Sequence, residues 1–522
     1  MSDKQAAPSK WFRVFGPPGT GKTTRLLNEI DDLIVSGVPP SKIGFFAFTR
    51  KAANEAKGRA MDRFNLDPDD LINFRTLHSF CFRYSGINFD QLMSRENWME
   101  LSEKTSFDLG WDQRNPEAIE DLSTALPDKK TVLGLINMAR IRQITVREAY
   151  DDWDGAHDHA WPQVLYLADS YNNYRSSHRV FDFTDMLTVF LERAEETCPT
   201  FHTVFVDEAQ DLSRLQWRVV NAIGRKTGRV LVAGDDDQAI FRWAGADVES
   251  FLRLPGMSET LSKSWRVPRQ VHTLAENIVS RISDRYPKKY DPQEKEGEVT
   301  WVSGLADVID EMDDETWLVL AQCAYMLEAA EEALRSGGFY YEMKGAKSVP
   351  EKVFLAVSAW KKLQSDKDIN GKEVRAVYDY MTSGADVRRG FKKAARVDDD
   401  DLVSHDDLCR DGGLLVDKDV PWPAALSKLP EAHRVYLNAI ESRGETFEGK
   451  PKIVLSTIHG AKGGEADNVV LFTDLSYASM RESFGSESGM NDLHRTFYVG
   501  ITRTKGRLFL VHPRSHKEGY TI

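Results

Sequence analysis

The sequence predicts an α/β protein with two parallel-sheet domains, each interrupted by a mainly helical insertion. Three observations carry this expectation. First, Gly16-Pro17-Pro18-Gly19-Thr20-Gly21-Lys22-Thr23 fits the phosphate-loop pattern G-x-x-x-x-G-K-[ST]. It lies between an apolar, β-prone run at 11–15 and a helix-like run at 24–35. In that second run Leu26, Leu27, Ile30 and Ile34 recur near 3.6-residue spacing. Second, short apolar strands at 43–48, 202–206 and 230–233 each end in a polar turn. Third, strand and helix signals alternate again over 299–341 and 452–511. The alternation lapses over 85–179 and 349–450, which read as insertions.

Composition narrows the class. A chain of 522 residues holds several domains. Hydrophobic residues make up 41% and charged residues 29%, and no run of about 18 apolar residues is present to span a membrane. The first residues lack the apolar core of a signal peptide, so a cytoplasmic location is expected. Cys81, Cys198, Cys323 and Cys409 are far apart and form no C-x-x-C pair, which argues for reduced thiols and against a zinc ribbon or iron–sulfur cluster. The net charge of −13 argues against coating nucleic acid through bulk charge but leaves room for a local basic groove. Arg50, Lys51, Lys57 and Arg59 cluster early. The acidic block Asp398 to Asp401, Asp406, Asp407 and Asp411 reads as a solvated loop rather than a docking site.

Each motif has a chemical reading and a plainer one. Gly16, Gly19 and Gly21 let backbone N–H groups wrap phosphate oxygens, and the helix that follows adds partial positive charge. Lys22 would reach the β- and γ-phosphates, and Thr23 would ligate Mg²⁺. The plainer reading is a glycine turn before an ordinary helix. A polar, basic turn at 49–53 follows the strand at 43–48, where ligands sit in open α/β sheets. Phe48 by itself reads as a buried ring, and His78 by itself as structural. Asp182-Phe183-Thr184-Asp185-Met186-Leu187 restarts an amphipathic helix. Asp207-Glu208 ends a buried strand, where two carboxylates are expensive unless they bind a metal or polarise water; an N-cap is the alternative. Gln238 is placed to touch a γ-phosphate and the next segment. Phe241 and Trp243 offer stacking faces worth about 1–3 kcal/mol per base, or equally are core aromatics. A second sheet is expected from Gly256, with a helix at 269–282 and strands at 299–302, 317–321 and 339–341. A helix at 324–335 ends at Gly337-Gly338, and strands at 452–456, 468–472 and 507–511 complete the pattern around a helix from Asn491.

Read together, GPPGTGKT, FAFTRKAA, TLHSF, DFTDML, VDEAQD, VAGDDDQAIFRWAGA, SKSWR, STIHGAKGGE and YVGITR stand in the order found in UvrD-like (UvrD, Rep, PcrA) superfamily 1 helicases, which the chain resembles over nearly its whole length. The resemblance implies two RecA-like domains using ATP and Mg²⁺. Gly16 to Thr23, Thr24 and Arg25 would cradle nucleotide, with Thr23 and Asp207 on the metal. Lys22, Asp207, Glu208 and Gln238 would serve hydrolysis. Arg266 and Arg503, from the second domain, match arginine fingers. Trp265 stands where a Tyr usually stacks on adenine, and Glu465 matches a residue near the ribose. Phe48, Thr49, Arg50, His78, Phe241, Trp243 and His459 match the track for single-stranded DNA.

The domains implied are a first RecA-like domain at 1–84 and 180–255, with a helical insertion at 85–179. A second follows at 256–348 and 451–522, with a shortened insertion at 349–450. The expected activity is 3′-to-5′ movement on single-stranded DNA and separation of duplex, with ss/ds junctions and replication or repair proteins as partners and no membrane. The motifs serve equally a translocase that displaces proteins without processive unwinding. A nucleotide-switched DNA-binding protein is the non-motor alternative, and RNA remains open as substrate. The chain departs from the family pattern at several points. Only Gln5 is available upstream to read adenine, Thr24 replaces a common Arg, and Ala244 replaces an Arg of the third motif.

Overall fold

The computed structural model describes residues 10–48, 50–109, 131–312, 314–394, 397–445, 449–515 and 518–522. Gln5 and Thr49 therefore lie outside the described residues. The chain divides into two compact units, Met1–Lys295 with Glu482–Thr502, and Glu296–Arg481 with Arg503–Ile522. Each is an α/β unit around a sheet.

In the first unit, β1 (Trp11–Phe15), β2 (Ile43–Ala47), β3 (Phe74–Thr76), β4 (Phe201–Val206), β5 (Thr227–Gly234) and β6 (Met257–Thr260) form one sheet in the order β3-β2-β4-β5-β1-β6. All five pairings are parallel. A parallel sheet is covered on both faces, and successive side chains point to opposite faces. Phe45, Phe205 and Leu231 accordingly join the core beneath the helices Lys22–Val35 and Arg50–Phe64. Phe46, Val206 and Val232 join the opposite core, with Leu187, Leu215 and Phe80. Because every strand runs the same way, the loops after β1, β2, β3, β4, β5 and β6 all emerge at one edge. The insertion is helical, with Arg95–Thr105, Val132–Arg142, Val146–Asp151 and Trp161–His178 among its described helices.

The second unit carries β7 (Glu298–Val302), β8 (Trp317–Ala321), β9 (Tyr341–Met343), β10 (Ala346–Lys347), β13 (Ile453–Thr457), β14 (Ala466–Phe472) and β15 (Thr504–Val511), in the order β10-β9-β13-β8-β14-β15-β7. Within this sheet, among the described residues, the β9–β10 hairpin is the one antiparallel pairing. A mainly helical insertion follows β10 and includes the small pair β11 (Ile369–Asn370) and β12 (Leu402–Val403). Its helices Glu351–Gln364, Gly371–Asp379 and Glu431–Ser442 share one core with Trp317, Val319, Leu455 and Phe509.

The structure corrects the expected start of the second sheet. The strand after Gly256, β6, pairs in parallel with β1 and closes the first sheet, and the following segment to Lys295 stays with the first unit. Helix Glu487–Ile501 also packs there, against Arg269–Val279. The reason is pairing: β1 has a free edge that short, weakly apolar MSET can fill, and no local pattern announces which sheet a four-residue strand joins. Two smaller shifts occur. The strand expected at 339–341 is Tyr341–Met343, and the helix expected at 324–335 begins as a 3₁₀ turn, Ala324–Leu327, before Glu328–Ser336.

Candidate active site

Topology assembles the first unit's site. The loop after β1 turns through Gly19 at φ +69° and Gly21 at φ +81°, the left-handed region glycine enters without steric cost. A Cβ on Gly19 would also come within 2.4 Å of the Arg266 Cβ. Thr20 braces the turn, its Oγ1 donating to the Pro17 carbonyl at 2.8 Å. Helix Lys22–Val35 starts directly after Gly21, so its first N–H groups face the loop without intrahelical partners. Gly16, Pro17 and Pro18 are buried beneath the turn. Lys22 lies back along it, with Nζ donating to the Gly16 carbonyl at 2.9 Å and standing 3.8 Å from Glu208 Oε1.

Thr23 and Asp207 meet: the threonine hydroxyl donates to Asp207 Oδ2 at 2.7 Å. Two oxygen donors side by side, one a carboxylate, are the set that a hard cation such as Mg²⁺ takes. Burial, and then the adjacent Glu208 carboxylate, push the Asp207 carboxyl up to about 6. A bound divalent cation would reverse that shift. Glu208 holds a left-handed backbone at φ 52°, unusual for a non-glycine residue. Gln210, fully buried, donates from Nε2 to Glu208 Oε2 at 2.5 Å and accepts at Oε1 from the Asp235 N–H at 3.0 Å. It thereby joins the β4 and β5 strand ends. Gln238 in turn donates to Asp235 Oδ2 at 2.6 Å.

Beyond β5 lies a buried charge cluster that sequence reading missed. The Lys288 ammonium, 1% exposed, reaches Asp235 at 3.0 Å, Asp236 at 2.7 Å and Asp237 at 2.6 Å. Arg285 grips both oxygens of Asp237 at 2.7 and 2.6 Å. The fully buried Arg495, from helix Glu487–Ile501, donates to the Asp236 carbonyl at 2.9 Å. Lys288 is held well above the ordinary lysine range despite its burial because three carboxylates surround it. The signal for this cluster was present: three consecutive acids at the end of a buried strand require cations.

The SKSWR segment, expected from the second domain, follows β6 and lies on the phosphate loop. Ser264 Oγ donates to the Pro18 carbonyl at 2.7 Å, and the Trp265 N–H to the Gly19 carbonyl at 2.8 Å. Arg266 therefore belongs to the loop's own unit, and not to the second. Trp265 is 70% exposed, with the Lys263 ammonium 4.9 Å from its ring centre, so the ring is available for stacking. Arg25 faces elsewhere: it pairs with Glu29 at 2.8 Å and Glu259 at 3.4 Å, and Thr24 is exposed.

The same edge carries a row of rings. Phe48 stacks on Phe241 at 5.7 Å and 24°, and Phe241 meets Trp243 at 6.4 Å. Trp243 is 40% exposed, which favours the stacking reading over a core role. His78 follows β3 and packs on Phe183; burial pushes its imidazole down to about 4 against the pull of Asp182. Asp182 and Asp185, in the helix Phe183–Thr197 and its cap, are held by Arg140 and Arg175. Arg50, exposed, opens the helix after β2.

In the second unit, Arg503 is buried and donates to the Gly464 carbonyl at 3.3 Å, while Glu465 pairs with Lys505 at 2.7 Å. Both sit where β14 and β15 begin. His459 follows the other end of β13, so the unit's own registers separate it from that pair.

No group of His, Cys, Asp or Glu among the described residues forms a further metal cluster, and no described helix is long and apolar enough to cross a membrane. The family model for the UvrD/REP helicase N-terminal domain matches residues 2–257, and that for the UvrD-like helicase C-terminal domain matches residues 432–515. ATP-dependent DNA helicase PcrA of Bacillus subtilis (strain 168) is 28% identical over 298 residues, 53% of this chain and 39% of that protein. The protein of the same name from Leuconostoc citreum is 24% identical over 406 residues, 73% of this chain and 52% of that protein. The chain thus spans about half or less of the length of these relatives. A solved structure of PRRSV helicase covers 97% of this chain and 54% of its own at 13% identity, with a TM-score of only 0.33. With both family models matched in order over well over half its length, the chain belongs to the UvrD-like (UvrD, Rep, PcrA) superfamily 1 helicases.

Proposed function

We propose that the chain is a Mg²⁺- and ATP-dependent motor that moves 3′ to 5′ on single-stranded DNA and separates duplex ahead of it. The observation that carries the reading is the continuity of one strand end. Gln210 ties Glu208, next to the Thr23–Asp207 pair, to Asp235 of the β5 loop, where Gln238 also bonds, and that same loop continues into Phe241 and Trp243. A change at the phosphate end therefore has a short route to the stacking rings, through the Gln210 hydrogen bond to Asp235 and then along the β5 loop. Within this reading, Lys22 neutralises phosphate charge, Thr23 and Asp207 hold the cation, and Glu208 orients the attacking water. The bound cation supplies charge stabilisation at the phosphates. The family resemblance assigns Trp265 to the base of the nucleotide and Glu465 to its ribose. Arg266 and Arg503 serve as arginine fingers, roles that rest on the family resemblance. Phe48, Thr49, Arg50, His78, Phe241, Trp243 and His459 follow the DNA strand. The relatives' shared name, ATP-dependent DNA helicase, supports the same substrate and fuel.

The test is unwinding of two duplexes, one with a 3′ single-stranded tail and one with a 5′ tail, in the presence of ATP and Mg²⁺. Strand separation from the 3′-tailed duplex alone is expected. ATP turnover without separation of either duplex would replace the helicase reading with that of a translocase. Separation from the 5′ tail alone would reverse the polarity.

A further inference from the structure

A cleft of about 360 Å³ opens in the first unit beside Trp243, walled by Arg142, Arg214, Arg242, Asp247 and Asp492. Arg142 is the last residue of helix Val132–Arg142 in the helical insertion. That helix end is pressed against the turn after Trp243, since a Cβ on Gly245 would lie 2.9 Å from Ile141 Cδ1. Arg142 therefore enters the site from an element that carries none of the sequence motifs.

The three arginines of the cleft are not equivalent. Arg214 pairs with Asp247 at 3.6 Å, and Arg242 with Asp284 at 2.9 Å and Asp492 at 3.5 Å. Arg142 has no carboxylate within salt-bridge distance among the described residues; its hydrogen bond is a long one, 3.4 Å, to the Arg242 carbonyl. It is half-buried, and burial acts with neighbouring Arg242 to disfavour its charge, opposed by Asp152. A half-buried guanidinium with no carboxylate in ion-pair contact among the described residues is costly to keep charged, and its planar fork matches phosphate oxygens. The 40% exposed Trp243 ring forms the adjoining wall.

We propose that this cleft holds one phosphodiester of single-stranded nucleic acid on Arg142 while the neighbouring base stacks on Trp243. The proposal rests on the nucleic-acid reading given above. Asp247, Glu482 and Asp492 also line the cleft, so it takes a single phosphate and not a run of them. Arg142 thus makes the helical insertion part of the single-strand path.

The test is fluorescence anisotropy of a short labelled oligothymidylate with the full chain, titrated at several salt concentrations. Arg142→Gln is expected to bind roughly tenfold more weakly at low salt. The slope of log K against log salt should become shallower by about 0.7, the loss of one phosphate contact on a single strand. Arg142→Lys, which keeps the charge, should retain the wild-type slope. An Arg142→Gln slope equal to that of the wild type overturns the proposal. A wild-type chain that does not bind the oligonucleotide overturns the nucleic-acid reading itself, and the two failures are distinct. Photocrosslinking of the wild type to a thiothymidine oligonucleotide gives an independent decision should Arg142→Gln fold poorly. Adducts within residues 142–144 or 243–247 are expected, and adducts confined to other segments contradict the site.

Discussion

His78 shows how a single side chain in the candidate DNA track can be tested through its titration. Burial holds its imidazole near 4, below the ordinary histidine value, so it is neutral at pH 7. Across the window from about 6.5 down to about 4, the unfolded chain binds a proton that the folded chain refuses. Stability from this group is therefore full above the window and is lost as pH falls through it. Thermal melting should show wild type losing more stability than His78→Gln between pH 7 and about 4.5. Equal losses would mean that His78 is not desolvated. Glu208 illustrates the other residue-level feature, a left-handed backbone at φ 52° next to Asp207. Such a conformation costs about 1–2 kcal/mol for a residue with a Cβ. Gln210 holds the side chain that results. Strain beside a buried carboxylate, on the strand end facing Lys22, is what a site organised for ligand would retain.

Among the elements, the β5 loop is the one with most at stake. Asp235, Asp236 and Asp237 are essentially buried, and Lys288 is the cation that all three share. Removing one partner from a buried ionic network typically costs about 3–5 kcal/mol, because the others stay buried without compensation. Lys288→Met should therefore lower the denaturation midpoint sharply, with Lys288→Arg less harmful. A Lys288→Met protein as stable as wild type would show that the network contributes nothing net. This cluster also marks the boundary of what the sequence made legible. Lys22, Thr23, Asp207 and Gln238 could be placed from short motifs because each follows a strand whose direction its neighbours share. Lys288 and Arg495 could not, since they meet Asp236 across 52 and 259 residues, and no local spacing encodes such a pairing. β6 escaped for the same reason: its four residues do not choose a sheet until β1 offers an edge. Arg266 was then assigned to the wrong unit along with it.

Over the whole molecule, two features have to be reconciled. The chain carries a net charge of −13, yet the proposed partner is a polyanion. Bulk attraction cannot hold such a strand, so binding must be local, through stacked rings and a few placed cations such as Arg142. The two parallel-sheet units and their helical insertions were legible as alternating and lapsing strand signals, while the crossing points of the chain between units were not. Helix Glu487–Ile501 belongs to the first unit, and Arg503, two residues beyond it, to the second. The most direct check on this account is the rate of ATP hydrolysis with Mg²⁺, measured with and without single-stranded DNA, for wild type and Lys22→Ala side by side. Strong stimulation of the wild type by DNA, and loss of turnover in Lys22→Ala under both conditions, are the expected results. Turnover that survives in Lys22→Ala, or a wild-type rate indifferent to DNA, would contradict it.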